Sequence, residues 1–292
     1  MKELIDERSA EGALIASAMP DEARRGGAWL VAIDLDGTTI NEAGQVSHAV
    51  KSELRRVEQA GHHLLITTGR SVATTLSVMK DIAMQPEYLV CSNGAVTLQR
   101  CEGAPGGYRR LRVSGFDASA VLDAVRTHLP SAQLAIEDEQ GPYRYSHPFP
   151  PASTEPENVQ TLVPFDALLS GNAVRVVVFA PAMEITEFRS IVERMHLSGV
   201  TYSLGWTSWL DIAAADVTKA TAAEVVRADL GFHRNQVVAV GDGHNDIELL
   251  EWAAKYGRGV AMGQAPQELL AVASEITGSI EEDGLAQVLA SL

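Results

Sequence analysis

The chain has 292 residues, with 38 acidic against 23 basic side chains and a formal net charge of −15 at pH 7. That excess excludes a protein that holds nucleic acid through phosphate contacts, and it repels anionic lipid. Apolar residues make up 46% and charged ones 21%, the balance of a globular chain, and at about 150 residues per domain the length predicts two domains. Cys91 and Cys101 are too few for a disulfide framework or a four-cysteine zinc site, and read as thiols in a reducing cytosol. No run approaches the roughly 18 apolar residues of a membrane span.

Residues 1–27 precede the first regular pattern. Glu3, Asp6, Glu7 and Glu11 stand ahead of the short apolar stretch 13–19 where a signal peptide needs positive charge, so a mobile or weakly helical extension on a cytoplasmic protein is expected. The apolar run 29–33 predicts a buried strand. A helix follows, capped by Ser47, with Val50, Leu54 and Val57 on one face and Gly61 as its stop. Residues 64–67 predict a second strand, and Ser71 caps a helix whose Val72, Leu76, Met79 and Ala83 share a face. With a third strand at 88–91 this is βαβαβ, the unit of a parallel sheet.

Strand-like 174–179 and helix-like 184–195 belong to an intervening region, and the stretch 149–164, rich in Pro, Ser, Glu and Asn, reads as loop. The α/β pattern then resumes with a helix from Lys219 to Leu230 stopped by Gly231, and a strand at 237–240. A helix carrying Ile247, Leu250 and Ala254, a strand at 259–261 and a helix opened by Pro266 complete it. The expected fold is α/β: a doubly wound parallel sheet whose two halves are separated by an inserted α/β domain. The expected division is 1–27 extension, 28–98 first part of the core, 99–210 insertion and 211–292 second part.

Ligands bind beyond the carboxyl ends of the strands of such a sheet, and each strand end here carries polar or glycine-rich residues. After the first come Asp34-Leu35-Asp36-Gly37-Thr38, after the second Thr68-Gly69-Arg70, after the third Ser92-Asn93-Gly94, and after the fourth Gly241-Asp242-Gly243-His244-Asn245-Asp246. In extended chain Asp34 and Asp36 face one side, and two such carboxylates are costly together unless a cation neutralises them or one holds a proton. With Asp242 and Asp246 nearby, an oxygen-rich site for Mg²⁺ is the economical reading, and a phosphate ester is the substrate such a site suits. Lys219 adds a second positive charge.

In these motifs, in this order, the chain resembles the haloacid dehalogenase superfamily phosphatases, specifically the Cof-type group. Gly259-Val260-Ala261-Met262-Gly263 and Glu282-Asp283-Gly284 extend the resemblance. It implies a Rossmann-like core with an α/β cap that closes over a small phosphorylated metabolite. It also implies Asp34 as nucleophile, Asp36 as general acid and base, and Thr68 and Lys219 as holders of the phosphoryl oxygens. Mg²⁺ would be held by Asp34, the Asp36 carbonyl, Asp242 and Asp246, the last through water or as partner to Lys219. Gly69, Arg70, Asn93, Gly94 and Asn245 are the expected substrate-side residues. His244, where glutamate is more usual, and Gln264, where asparagine is usual, are departures that bear on substrate preference. A phosphomutase on the same site, or a phospho-ligand sensor without turnover, are the alternatives; the oligomeric state is not encoded in these features.

Other signals read as structural. Adjacent His62 and His63 cannot face one metal, Trp206 and Trp209 read as packing at the domain junction, and 143–147 (Tyr-Arg-Tyr-Ser-His) reads as a solvated strand edge. The glycine-rich turn 103–107, placed within or at the edge of the insertion, lacks the Gly-Lys-Ser/Thr ending of a P-loop.

Overall fold

Four apolar residues with no polar alternate leave a strand no side for solvent, so β1 (Leu30–Ile33) belongs inside a sheet covered on both faces. A computed structural model describes residues 27–139, 141, 143–150, 160–205 and 207–292. The expected extension up to residue 26, the loop 151–159 and Trp206 lie outside the described residues.

In chain order the core runs β1, α1 (His48–Gln59), β2 (His63–Thr67), α2 (Val72–Asp81), β3 (Tyr88–Cys91), β4 (Val96–Arg100) and β5 (Tyr108–Val113). The insertion is β6 (Phe116–Asp117), α3 (Ser119–His128), β7 (Gln133–Asp138), β8 (Tyr143–Tyr145), β9 (Thr161–Leu162), α4 (Phe165–Leu168), β10 (Asn172–Phe179), α5 (Ile185–Arg194), β11 (Val200–Leu204) and β12 (Trp209–Ala214). The core then resumes with α6 (Lys219–Asp229), β13 (Val237–Gly241), α7 (Ile247–Ala254), β14 (Arg258–Ala261), α8 (Gln267–Val272), β15 (Glu275–Ile276) and α9 (Gly284–Ala290).

The core sheet has the order β15-β14-β13-β1-β2-β3-β4-β5. β1 pairs in parallel with β13 on one side and β2 on the other, so the strand order reverses at β1. One face packs Val31, Ile33 and Ile66 against α1, α2 and α9; the other packs Leu30, Ala32 and Ala239 against α6, α7 and α8. The predicted caps form: Ser47 accepts from the Val50 amide and Ser71 from the Thr74 amide. Ala83, expected on the buried face of α2, is exposed beyond the helix end at φ 56°, and Ile82 and Met84 are buried instead.

The expected cuts at 98/99 and 210/211 differ from the sheet boundaries. β4 and β5 are antiparallel strands of the core sheet, so the 103–107 turn is a core hairpin, whereas β12 pairs with β10 and β11 in the insertion. The sequence pattern between 96 and 113 carries no βα alternation, and only the pairing shows which sheet claims it.

The insertion's own sheet has the order β11-β12-β10-β7-β8-β9, with β6 also on β10. Period-two alternation gives it two faces. Leu134, Ile136, Val176, Val178, Leu210 and Ile212 pack against α3 and α5, while Ala135, Val177, Tyr143, Tyr145 and Phe149 form a second cluster joined by Phe179 and Trp209.

α6, which carries Lys219 at its start, is tied to α7 through Glu224. The Glu224 carboxylate accepts from Arg227 at 2.9 Å, from the Trp252 indole at 2.9 Å and from Arg234 at 3.1 Å. Burial alone would raise its pKa, but these hydrogen bonds outweigh it and hold the group at about 2, against an ordinary 4.5. A carboxylate with a depressed folded pKa stabilises above its unfolded value and loses that contribution as pH falls through the folded one. Glu224→Gln is therefore expected to lower the unfolding midpoint at pH 7, with the gap from wild type closing between pH 4.5 and about 2 in pH-resolved denaturant titrations.

Candidate active site

Asp34 follows β1, and its amide still donates to the Val240 carbonyl of β13 at 3.0 Å, so the two strand ends are in register where the chain turns. The Asp34 carbonyl accepts from the Thr39 hydroxyl at 2.6 Å, and the Leu35 carbonyl collects the amides of Thr39 and Ile40. Gly37 completes the turn at φ 78°, and a Cβ there would lie 2.1 Å from Asp242 Oδ2. Only glycine fits both the backbone conformation and that carboxylate.

Asp242 follows β13 and accepts from Thr38 Oγ1 at 3.2 Å. Asp246 sits in the next turn, where Oδ2 accepts the amides of Asp242 at 3.1 Å and Gly243 at 3.0 Å. Lys219 Nζ, wholly buried, donates to Asp34 Oδ1 at 2.5 Å and to Asp246 Oδ1 at 2.7 Å. Burial works against its charge, and Asp246 and Asp34 outweigh it, so its pKa is raised. Thr218, the N-cap of α6, accepts from the Thr221 amide and fixes the turn from which Lys219 projects.

The buried carboxylates of Asp34, Asp242 and Asp246 bring oxygen atoms within 4.8 Å of one another. Burial pushes Asp34 well above the carboxylate range against the opposing pull of Lys219, and burial together with the charge of Asp246 raises Asp242 to about 7. Three carboxylates against one ammonium leave an uncompensated negative charge, and a hard divalent cation with oxygen ligands fits it.

Asp36 stands apart from this cluster. Its carboxylate forms a two-point pair with Arg70, at 2.8 Å from Nε and 2.6 Å from Nη2, and its side chain is 55% exposed. The expected convergence of the Asp34 and Asp36 carboxylates does not form. β1 ends at Ile33, so the alternation rule lapses in the turn, and Arg70 claims the second carboxylate. Both aspartates nonetheless line one cavity of about 420 Å³, with Gly69, Arg70, Asp242 and Asn245.

Thr68 is buried, and its Oγ1 accepts from the Arg70 amide at 3.1 Å. Asn245 Nδ2 donates to Asn93 Oδ1 at 2.9 Å, and Gly69 lies against that pair. Gly94, expected on the substrate side, packs instead against α6: at φ 107°, its Cβ would lie 2.2 Å from the Thr218 carbonyl. Gln264 clamps two loops, donating to the Gly37 carbonyl at 2.6 Å and accepting from the Ile280 amide at 3.0 Å. His244 lines the cavity with its Nε2 4.0 Å from Glu268.

The insertion supplies the opposite wall: Arg175, Ser203, Leu204, Gly205, Trp209 and Asp211. Trp209 is therefore both packing, against Phe149 and Phe179, and cavity wall. A second cavity of about 300 Å³, between β11 and the His244–Glu248 region, shares Arg175 and Asp211 with the first. Arg175 pairs with Asp211 at 2.6 Å and donates to the Tyr143 hydroxyl at 3.1 Å. Neither Arg175 nor Asp211 stood out in the sequence, although an arginine within the valine run of β10 needs a buried partner. Tyr143 and Tyr145 are buried, not a solvated edge: their rings pack together and against Phe149, Ala135 and Val177, and β9 pairs with the outer side of β8. His62 and His63 have structural partners: His62 Nδ1 accepts the Trp29 amide at 3.0 Å, and His63 lies 3.7 Å from Glu87.

With this geometry in place, the haloacid dehalogenase-like hydrolase family model matches residues 31–289. The chain belongs to that family. A 5-amino-6-(5-phospho-D-ribitylamino)uracil phosphatase of Bacillus subtilis is 25% identical over 89% of this chain and 96% of its own length. The pyridoxal phosphate phosphatase of Escherichia coli is 27% identical over 90% and 97%. Among solved structures, a haloalkanoate-superfamily phosphatase from Bacteroides thetaiotaomicron superposes with a TM-score of 0.71 at 21% identity, covering 94% of this chain and 97% of that one. This haloacid dehalogenase-like hydrolase is a phosphatase, and no helix among its described residues is long and apolar enough to cross a membrane.

Removing one member of a buried ion cluster leaves the others uncompensated. Lys219→Met in this hydrolase is expected to lower the unfolding free energy by about 3–5 kcal/mol in urea titrations. A midpoint equal to wild type would show that the ion triad does not hold the strand ends together.

Proposed function

We propose that the protein is a cytoplasmic, Mg²⁺-dependent phosphomonoesterase for a small phosphorylated metabolite, a sugar phosphate or a phosphorylated cofactor, working through an aspartyl-phosphate on Asp34. The observation that carries this reading is the Asp34 carboxylate: one oxygen is pinned by Lys219, and the residue opens onto the cavity shared with Asp36, Arg70 and Asp242. The Bacillus and Escherichia relatives, a 5-amino-6-(5-phospho-D-ribitylamino)uracil phosphatase and a pyridoxal phosphate phosphatase, support the substrate class. The acidic composition supports the compartment.

In the first half-reaction the unpinned oxygen of Asp34 attacks phosphorus, the bond from phosphorus to the ester oxygen breaks, and Asp36 gives its proton to the departing alkoxide. In the second, Asp36 takes a proton from water, the water oxygen bonds to phosphorus, and the bond from phosphorus to Asp34 breaks to release inorganic phosphate. Arg70 now occupies both oxygens of Asp36, so its transfer to the incoming phosphate would open that carboxyl to the ester oxygen and to water. Lys219 and Thr68 steady the charge on the phosphoryl oxygens, and Asn93, Asn245 and Gly69 shape the rim where the ester enters. Gly94 contributes indirectly by seating the start of α6. Asp34, Asp242, the Asp36 carbonyl and, through water, Asp246 would hold Mg²⁺, which offsets phosphate charge when bound.

Phosphate release from a panel of sugar phosphates, pyridoxal phosphate and flavin mononucleotide, with Mg²⁺ or EDTA, tests this directly. Turnover is expected to need Mg²⁺ and to fall by about a thousand-fold or more in Asp34→Asn. An unchanged rate in that variant would overturn the mechanism. Isotope from labelled water is expected in the phosphate; its absence, with the phosphoryl group passed to a second hydroxyl, would identify a mutase.

A further inference from the structure

The turn after β3 is held in an uncommon conformation, with Ser92 at φ 50°, Asn93 at φ 53° and Gly94 at φ 107°. Non-glycine residues there are strained and persist only where their surroundings hold them. Backbone bonds supply part of that hold: the Ser92 amide donates to Arg70 at 2.8 Å and the Asn93 amide to Thr68 at 3.0 Å. Asn245 adds its bond to Asn93 from the core, and the insertion adds another, in which Ser92 Oγ donates to Glu137 Oε2 at 2.5 Å in a fully buried, charge-assisted contact.

Glu137 lies on β7 and has no contact with solvent. The same Oε2 accepts from the Tyr143 hydroxyl at 3.0 Å, Tyr143 accepts from Arg175 Nη1 at 3.1 Å, and Arg175 pairs with Asp211 on the cavity wall. A continuous buried chain thus runs from the wall facing the cavity to the turn that seats Asn93 and, through Gly94, the start of α6. Both hydroxyls bind Oε2, and Oε1 has no hydrogen-bond partner among the described residues, so these two bonds fix the buried carboxylate. The mechanism above uses none of it.

We propose that Glu137 is a positioning residue that docks the inserted domain on the catalytic core by holding Ser92, and that it links the Arg175 wall to the rim turn that carries Asn93. The link to turnover rests on the phosphomonoesterase reading; the docking itself does not.

The test uses the full chain with Glu137→Ala, Ser92→Ala, their double variant and the conservative Glu137→Gln, whose amide oxygen still accepts from Ser92. Hydrogen exchange at the amides of Ser92, Asn93 and Ala95 is expected to quicken by about ten-fold or more in both alanine variants and to stay near wild type in Glu137→Gln. The ratio of kcat/KM for p-nitrophenyl phosphate over acetyl phosphate, chosen for its smaller leaving group, is expected to fall by about ten-fold in each single alanine variant, no further in the double, and to stay near wild type in Glu137→Gln. Unchanged exchange in the alanine variants overturns the proposal, and so does an equal loss on both substrates. Faster exchange in a protein that turns over neither substrate upholds the docking and counts against the phosphomonoesterase reading. If Glu137→Ala does not fold, Ser92→Ala decides alone, since it removes one hydroxyl from the same bond.

Discussion

An ammonium sealed from water between two carboxylates is the contact on which this architecture turns. Lys219 and Asp34 are 185 residues apart, yet their atoms meet at 2.5 Å with no solvent to share the charge. An ion so buried is tolerable only with its partners in place, so the start of α6 must lie beneath the ends of β1 and β13. Everything from β6 to β12 has to leave the core and return within that constraint. The close fit of Gly94 against Thr218 and of Gly37 against Asp242 follows from it, because three loops converge on one cluster and the backbone must approach without side chains between.

The same cluster bears on the proposed chemistry as well as on stability. Lys219 compensates part of the charge of three buried carboxylates, and burial raises Asp34 and Asp242 against that pull. The surplus is what a divalent cation can satisfy, and the pinned oxygen of Asp34 is oriented by a bond that also holds the fold together. Stability and chemistry therefore draw on one interaction. Asp36, outside the cluster and paired with Arg70, is free to do something different from Asp34 although only one residue separates them.

The inserted domain follows a simpler rule with one exception. Alternation along β7, β10 and β12 sends aliphatic side chains to α3 and α5 and leaves the other face to look toward the core. On that second face the residues are not uniformly apolar: Glu137, Arg175 and Asp211 sit among Ala135, Val177 and the aromatic cluster. Glu137 is buried on the hydroxyls of Ser92 and Tyr143 and Arg175 on Tyr143 and the half-buried Asp211, and together they form the polar interior that meets the cavity.

From the sequence alone the core was legible because its determinants are local. Ser47 and Ser71 cap the helices after them, and strands buried on both faces read as unbroken apolar runs. The order of the four strand-end motifs brought Asp34, Lys219, Asp242 and Asp246 to one site because a doubly wound sheet puts its carboxyl ends together whatever the loops do. Sequence patterns could not show which sheet claims β4, β5 and β12, since pairing partners are not written in any strand's own residues. Nor could they show that Asp36 turns to Arg70, that Tyr143 and Tyr145 are buried, or that Arg175 and Glu137 belong to one chain of contacts. Those depend on which distant side chain arrives first at a given charge or hydroxyl, and only the packed tertiary structure decides that.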